Sequence, residues 1–166
     1  VLMLYRLTQK QVLILLFVGA VGLCVSAFVL EYGFGALPCR MCWWQRYVHW
    51  ALVVCAGIGL LLPARWRWGA LVDCCWISLV GLGIAVWQAG SQLSLWKLPD
   101  MCQGSGAVLA ESTDLLSALQ NMQPPPACDD WGFTIFGLSL AMWNVFVMLG
   151  YAIVAGYGIY IGRLEK

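Results

Sequence analysis

Charged residues are scarce in this sequence. Only 10% of its 166 residues are Asp, Glu, Lys or Arg, whereas 62% are hydrophobic. Soluble domains average about 25% charged and about 45–50% apolar residues, so the composition excludes an ordinary soluble domain and indicates an integral membrane protein in a lipid bilayer. The formal net charge of +1 does not identify a partner, and we expect no nucleic-acid ligand.

Histidine is almost absent, and the chain has a single Cys-x-x-Cys motif, from Cys39 to Cys42. A structural zinc site needs about four ligands, but His49 is the only histidine and lies further along the same apolar run. A c-type haem site needs histidine directly after the second cysteine, where Trp43 stands. An inert pair of core cysteines is the remaining alternative, although such pairs rarely lie between proline and arginines. We expect no metal site and interpret the motif as a redox pair.

The residues around this motif favour thiolate chemistry. Pro38 disfavours helical backbone before it, so a helix can begin at or after Cys39. A cysteine at a helix N-terminus lies in a field that favours its thiolate, and Arg40 and Arg46 add positive charge nearby. The two residues between Cys39 and Cys42 let one cysteine attack a mixed disulfide formed by the other.

Long apolar runs predict the fold class, which is an all-α membrane protein built as a four-helix transmembrane bundle. At about 1.5 Å per residue, each run is long enough to cross the hydrocarbon core. Residues 25–27 resemble a signal-peptide cleavage site, but the run continues beyond them and we expect it to be retained. We therefore predict one membrane domain, 1–166, with outer loops 31–41 and 92–138 and spans 12–30, 42–62, 69–91 and 139–161.

The long polar segment 92–138 contains a second helical pattern. Ser112 or Thr113 can cap this helix, and the prolines at 124–126 end it. We predict a short amphipathic helix that lies flat on the membrane or packs on the other outer loop. Its apolar face is formed by Leu115, Leu116, Leu119 and Met122.

The distribution of Lys and Arg predicts the orientation. One side of the predicted bundle carries Arg6, Lys10, Arg65, Arg67, Arg163 and Lys166, and the other carries Arg40, Arg46 and Lys97. The positive-inside rule then places both termini in the cytoplasm and the cysteine-bearing loops on the oxidising side. In a bacterium this is a multi-pass inner-membrane protein with those loops in the periplasm.

Eight cysteines divide evenly between polar segments and apolar runs. The polar set allows three pairings, and disulfides exchange by thiolate attack on sulfur. A relay is one interpretation, in which electrons enter at the long loop and leave at the membrane edge to a quinone dissolved in the bilayer. A non-enzymatic membrane scaffold with two structural disulfides is the alternative. The polar set is Cys39, Cys42, Cys102 and Cys128, and the apolar set is Cys24, Cys55, Cys74 and Cys75.

Over nearly its whole length the sequence resembles the bacterial disulfide bond formation protein B (DsbB) family of membrane oxidoreductases. The resemblance is specific because several motifs occur together with four predicted spans. These motifs are Pro38-Cys39-x-x-Cys42, Gln45-Arg46, the pair Cys102 and Cys128, and Trp131 followed by Phe136-Gly137-Leu138-Ser139 and Trp143.

The resemblance implies an electron path through the outer cysteines. A reduced thioredoxin-fold partner, similar to DsbA, attacks the Cys102–Cys128 disulfide at Cys102. Cys128 then attacks Cys39 and opens the Cys39–Cys42 bridge. Cys42 leaves as a thiolate beside a quinone, which is ubiquinone or menaquinone. A narrower alternative is a dedicated oxidase for one specialised partner.

The resemblance also implies residues that contact the quinone. Arg46 matches the family's arginine, and we expect it on the face of Cys42, where it can stabilise the thiolate and the quinone oxygen; alternatively it extends to the interface. Gln88 stands where many members have histidine, so it can donate a hydrogen bond but cannot carry a proton. His49 either protonates the reduced quinone or is a packed polar residue, and Met142 is the fourth expected contact.

Overall fold

The computed structural model describes residues 7–97, 102 and 127–164. These residues form a mostly helical protein, and the predicted amphipathic helix of the second outer loop lies outside them. The long helices are α1 (Gln9–Phe34), α2 (Arg40–Leu61), α3 (Ala64–Gln92) and α4 (Leu140–Leu164), and the short strands are β1 (Thr134–Ile135) and β2 (Leu138–Ser139).

Three of the helices, α1, α3 and α4, are long and apolar enough to cross a membrane. The fourth, α2, has 22 residues and falls short of the mean hydropathy that the other three reach. Its first half contains Gln45, Arg46 and His49, which lower the mean hydropathy of the segment. The number of crossings therefore depends on how these polar side chains are accommodated.

The ends of α1 are set by local chemistry. Thr8 and Gln11 form a capping box, in which the Thr8 hydroxyl accepts from the Gln11 N–H at 3.3 Å and the Gln11 side chain accepts from the Thr8 N–H at 2.8 Å. The helix continues through residue 34, inside the segment 31–41 that the sequence predicted as a loop. It ends where Gly35 adopts a left-handed conformation, with φ of 68°.

A β-hairpin precedes α4, which the all-α expectation did not include. The two strands pair antiparallel with Thr134 opposite Ser139. Phe136 and Gly137 connect them with φ of 52° and 76°, and positive φ at both central residues is typical of a type I′ turn. The Ser139 hydroxyl then accepts from the Met142 N–H at 3.3 Å, so the hairpin also caps the start of α4.

The helices pack in a ring, with α1 against α2 and α4, and α3 against α2 and α4. At Gly158 an added Cβ would lie 2.9 Å from Val12 of α1 and 3.0 Å from Leu71 of α3. Such close approach matters because helices in lipid associate through packing rather than through a hydrophobic driving force. We call the end where α2 and α4 begin, and α1 and α3 end, the cysteine end.

Candidate functional site

All four cysteines of the polar set meet at the cysteine end. Cys39, Cys102 and Cys128 are buried in one cluster, and the half-buried Cys42 packs against it. The N–H of Cys128 donates to the carbonyl of Cys102 at 3.0 Å, which holds these two distant positions side by side. The fold thus places the cysteine pair of the long loop directly against the Cys-x-x-Cys motif.

Cys39 occupies the N-cap position of α2. Its sulfur accepts from the Cys42 N–H at 3.2 Å, as a capping side chain does. It also forms side-chain hydrogen bonds with Cys128 and Cys42, and these bonds, that to Cys128 first, together with burial raise the pKa of the Cys39 thiol well above its usual range. Cys39 therefore acts as a hydrogen-bond donor in this cluster.

Cys128 is the cysteine whose thiolate form is favoured by the N-terminus of α2. The hydrogen bond from Cys39 is the largest cause that lowers its pKa to about 6, and backbone N–H groups of Met41 and Arg40 contribute further. Burial, by contrast, raises the pKa of Cys102 to about 12. The sequence predicted a thiolate at Cys39, but of the free N–H groups at the start of α2 those of Arg40 and Met41 are directed at Cys128, whereas that of Cys42 is directed at Cys39.

Gln88 connects the two cysteine pairs from α3. Its side-chain nitrogen lies 3.2 Å from the sulfur of Cys39, 3.7 Å from the sulfur of Cys42 and 3.5 Å from the carbonyl oxygen of Cys128. The Gln45 amide donates to the Gln88 oxygen at 2.9 Å and so orients the Gln88 amide toward the sulfurs. Gln88 is 2% exposed, so these hydrogen bonds are protected from water.

Arg46 is directed at α1. It forms an ion pair with Glu31, donates to the Ala27 carbonyl at 3.3 Å, and places its guanidinium carbon 4.9 Å from the centre of the Trp43 ring. Among the contacts of the described residues, none joins Arg46 to the Cys42 sulfur. Shared helical spacing therefore does not by itself bring these two side chains together.

Glu31 was missed by the sequence reasoning, which placed it in a loop. A usable signal existed, because Glu31 is the only acidic residue before Asp73. A charged residue inside a membrane segment usually pairs with another, so Arg46 called for a carboxylate in a neighbouring segment.

A cavity of about 1130 Å³ opens beside Cys42, bounded mainly by α1, α2 and α4. Its surface is largely apolar, and among the residues predicted to contact a quinone it includes Arg46, His49 and Gln88. Met142 is not part of the lining, so its expected contact stays a prediction. The size and apolar character of this cavity suit a small ring-shaped ligand.

Two polar atoms in this lining have no hydrogen-bond partner among the described residues. They are Nε2 of His49, whose side chain belongs to a residue 7% exposed, and Nδ2 of Asn144, in a residue 9% exposed. Asn144 was also missed from the sequence, although it is the one asparagine in the predicted span 139–161. Buried polar atoms are nearly always hydrogen-bonded, so both atoms have hydrogen-bonding capacity that the described residues leave unused.

Comparison with known proteins gives consistent matches. The family model described as disulfide bond formation protein DsbB matches residues 9–158. The disulfide bond formation protein B of Marinobacter nauticus is 27% identical over 162 residues, covering 95% of each chain. That of Shewanella denitrificans is 26% identical over 164 residues, covering 95% of this chain and 91% of the relative.

A third relative with the same name, from Dechloromonas aromatica, is 25% identical over 139 residues, which is 80% of this chain and 81% of the relative. No solved structure gives a significant match. Since the family model covers residues 9–158, with most of the bundle and all four cysteines of the cluster inside that range, the chain belongs to the DsbB family of disulfide bond formation proteins.

Proposed function

We propose that the protein is a membrane thiol:quinone oxidoreductase that reoxidises a periplasmic, DsbA-like thioredoxin-fold protein. The observation that carries this proposal is the meeting of Cys102 and Cys128 with Cys39 and Cys42 beside an apolar cavity. Disulfide exchange needs sulfurs in contact, and a lipid-soluble acceptor needs an apolar site next to the last sulfur.

The first step is attack by the partner's thiolate on a Cys102–Cys128 disulfide. Attack at the Cys102 sulfur releases Cys128, and attack at Cys128 would release Cys102. The thiol of lower pKa leaves faster. With Cys39 in its bridge no Cys39 thiol is left to donate, but the backbone N–H groups of Met41 and Arg40 still lower the pKa of Cys128, whereas burial raises the pKa of Cys102 to about 12. The proposed site of attack is therefore Cys102.

The second step moves the disulfide into the Cys-x-x-Cys motif. The Cys128 thiolate attacks the Cys39 sulfur of a Cys39–Cys42 bridge, the bond between Cys39 and Cys128 forms, and Cys42 leaves as a thiolate. The proximity of the two sulfurs, which are hydrogen-bonded to each other when both are reduced, supports this path. Gln88, which reaches both Cys39 and Cys42, stabilises the departing charge.

The residues around the cavity fit a quinone of the ubiquinone or menaquinone type. A bound quinone supplies an acceptor for two electrons and two protons. Arg46, His49 and Gln88 are the proposed contacts, and apolar side chains surround them. The ion pair with Glu31 keeps the Arg46 charge at the cavity wall without leaving it unpaired in the membrane.

The proposed topology is a single membrane domain in which α2 also crosses, giving four spans. Its 22 residues extend about 33 Å, which matches the hydrocarbon core. Gln45 and His49 are buried inside the bundle and Arg46 is paired, so α2 presents little polarity to lipid. With an even number of spans and the basic count, both termini lie in the cytoplasm and the cysteine end faces the periplasm of the bacterial inner membrane.

Two alternative functions have less support from the arrangement of the cysteines. A scaffold with permanent disulfides would need Cys102 paired with Cys128 and Cys39 with Cys42, but it would not need Cys39 and Cys128 in contact. A dedicated oxidase for one specialised partner uses the same chemistry. It differs only in the range of proteins it oxidises.

The decisive experiment mixes the purified protein with a reduced DsbA-like protein and a soluble quinone while the quinone absorbance is followed. We expect quinone reduction that depends on both other components. Cys102→Ser or Cys128→Ser should block oxidation of the partner and leave the Cys39–Cys42 bridge reactive with quinone. Cys75→Ser, which lies in α3 with its thiol near the Ala152 carbonyl, is the matched control. Disulfides that ignore quinone would favour the scaffold.

A further inference from the structure

The hydrogen-bond donors and acceptors that line the cavity discriminate between a quinone and the corresponding quinol. His49 Nδ1 lies 2.8 Å from the Gln45 carbonyl oxygen, and a carbonyl can only accept, so Nδ1 carries the hydrogen. No carboxylate among the described residues pairs with this imidazole. A buried imidazole without such a partner is neutral, and its other nitrogen, Nε2, is then an acceptor without a donor.

Asn144 presents the opposite polarity. Its Nδ2 is a donor without an acceptor, and it lines the same cavity from α4. Among the described residues, the cavity lining thus includes one buried donor and one buried acceptor without a partner. A quinone offers only acceptors, so of these two atoms it can satisfy only that of Asn144, whereas a quinol hydroxyl can also donate to His49.

The two atoms also lie at different depths. Asn144 comes four residues after the start of α4 at Leu140, and His49 comes nine residues after the start of α2 at Arg40. At about 1.5 Å per residue, His49 is then roughly 7.5 Å further from the start of its helix than Asn144 is from the start of α4. This separation suits a ring with oxygens at opposite ends, one near Asn144 and Cys42 and the other near His49.

We propose that this cavity binds a para-quinol more tightly than the corresponding quinone, with the outer oxygen accepting from Asn144 and the inner hydroxyl donating to His49. The inference rests on the proposed function. Tighter binding of the reduced form makes the bound quinone a stronger oxidant, because the site stabilises the product of the two-electron transfer. A tenfold preference corresponds to about 30 mV for such a couple.

Binding can be measured without turnover in a Cys39→Ser/Cys42→Ser background, where neither ligand form reacts with the protein. Decylubiquinone and decylubiquinol are titrated separately, and quenching of tryptophan fluorescence reports occupancy, since Trp131 and Trp143 line the cavity. We expect His49→Leu to weaken quinol binding about two- to tenfold more than it weakens quinone binding. Asn144→Leu should weaken both forms alike.

His49→Gln tests the acceptor itself, because the glutamine oxygen can replace Nε2 and should restore part of the preference for quinol. An equal effect of His49→Leu on both forms, or none on either, would overturn the inference while the proposed function stands. Background protein that binds neither form would overturn both, provided that its thermal unfolding matches that of the unmodified protein.

Discussion

Cys39 donates a hydrogen bond to Cys128, and this contact joins the membrane-edge motif to a residue 89 positions later in the sequence. In the reduced protein this hydrogen bond favours the thiolate of Cys128, which lies beside the N-terminus of α2, and keeps the proton on Cys39. The same proximity of the two sulfurs suits attack by a Cys128 thiolate on Cys39 in the oxidised protein, where Cys39 is bridged to Cys42 and no longer carries that proton.

We predict that in the fully reduced protein Cys128 reacts with iodoacetamide with a midpoint near pH 6. Between about pH 6 and the ordinary thiol value of 9.0 the folded state then holds one proton fewer than the unfolded chain. The free energy of unfolding should therefore rise with pH over this interval and fall as the pH drops through 6. Mass spectrometry of alkylated peptides gives the midpoint.

Cys39→Ala is the matched variant for this measurement. It removes the largest cause of the shift, so the midpoint for Cys128 should move upward toward the ordinary thiol value. A midpoint near 9.0 in the unmodified protein would contradict the assignment of Cys128 as the favoured thiolate.

Gln88→Leu should slow electron transfer from the Cys-x-x-Cys motif to quinone. It keeps the side-chain volume but removes the donor to the Cys39 and Cys42 sulfurs. A hydrogen bond to a charged group is worth about 1.5–3 kcal/mol, so the rate should fall about 10- to 150-fold. Rapid-mixing measurement of quinone absorbance gives this rate.

Gln92→Leu is the control, because Gln92 lies one turn further along α3 and donates to the Asp130 carbonyl at 3.0 Å rather than to a sulfur. It should cost stability with little effect on the transfer rate. Equal slowing by both variants would mean that Gln88 acts through packing alone.

The parts of the site that were predictable are those that follow from periodicity and composition. The apolar runs predicted helices, and the polar positions of Cys39, Cys42, Cys102 and Cys128 separated them from the cysteines of the apolar runs. Contacts between side chains of different helices were not predictable in this way. The rotation of α2 about its axis decides that the Arg46 side chain faces Glu31 of α1, and no pattern within α2 encodes that rotation.

The hairpin before α4 shows a second limit. Its strands have two residues each, too short for an alternating pattern, and the sequence analysis placed Phe136 and Gly137 in the outer loop 92–138. The sequence feature that could have predicted the hairpin is Gly137 in the turn, because glycine readily adopts the positive φ that this turn requires. Phe136 shares that conformation and is 94% exposed.

Gly158→Ala should destabilise the bundle. The new methyl group would lie 2.9 Å from Val12 and 3.0 Å from Leu71, both completely buried, so α1 or α3 must shift. Overpacking of this kind costs about 1–3 kcal/mol. Gly150→Ala in the same helix is the control, since nothing lies within 4 Å of the added carbon, and thermal unfolding in detergent compares the two. Equal stability of both variants would contradict the close packing of α4.

Breaking the ion pair between Arg46 and Glu31 should affect both stability and quinone kinetics. The two side chains are 12% and 15% exposed, so removing one leaves the other charge largely buried and unpaired. Such a loss costs about 3–5 kcal/mol, and removing both partners costs less. We therefore expect Arg46→Ala and Glu31→Ala each to lower the unfolding temperature, and the double variant to recover part of it.

Quinone kinetics separate the two residues. Arg46→Ala removes a cation from the cavity wall and should raise the KM for quinone, whereas Glu31→Gln keeps Arg46 in place and should change the KM less. Partner oxidation at Cys102 should be unaffected by either change, because that step takes place outside the cavity. An Arg46→Ala protein that is destabilised but has an unchanged KM would limit Arg46 to a structural role, and the quinone contacts would then be His49, Gln88 and Asn144.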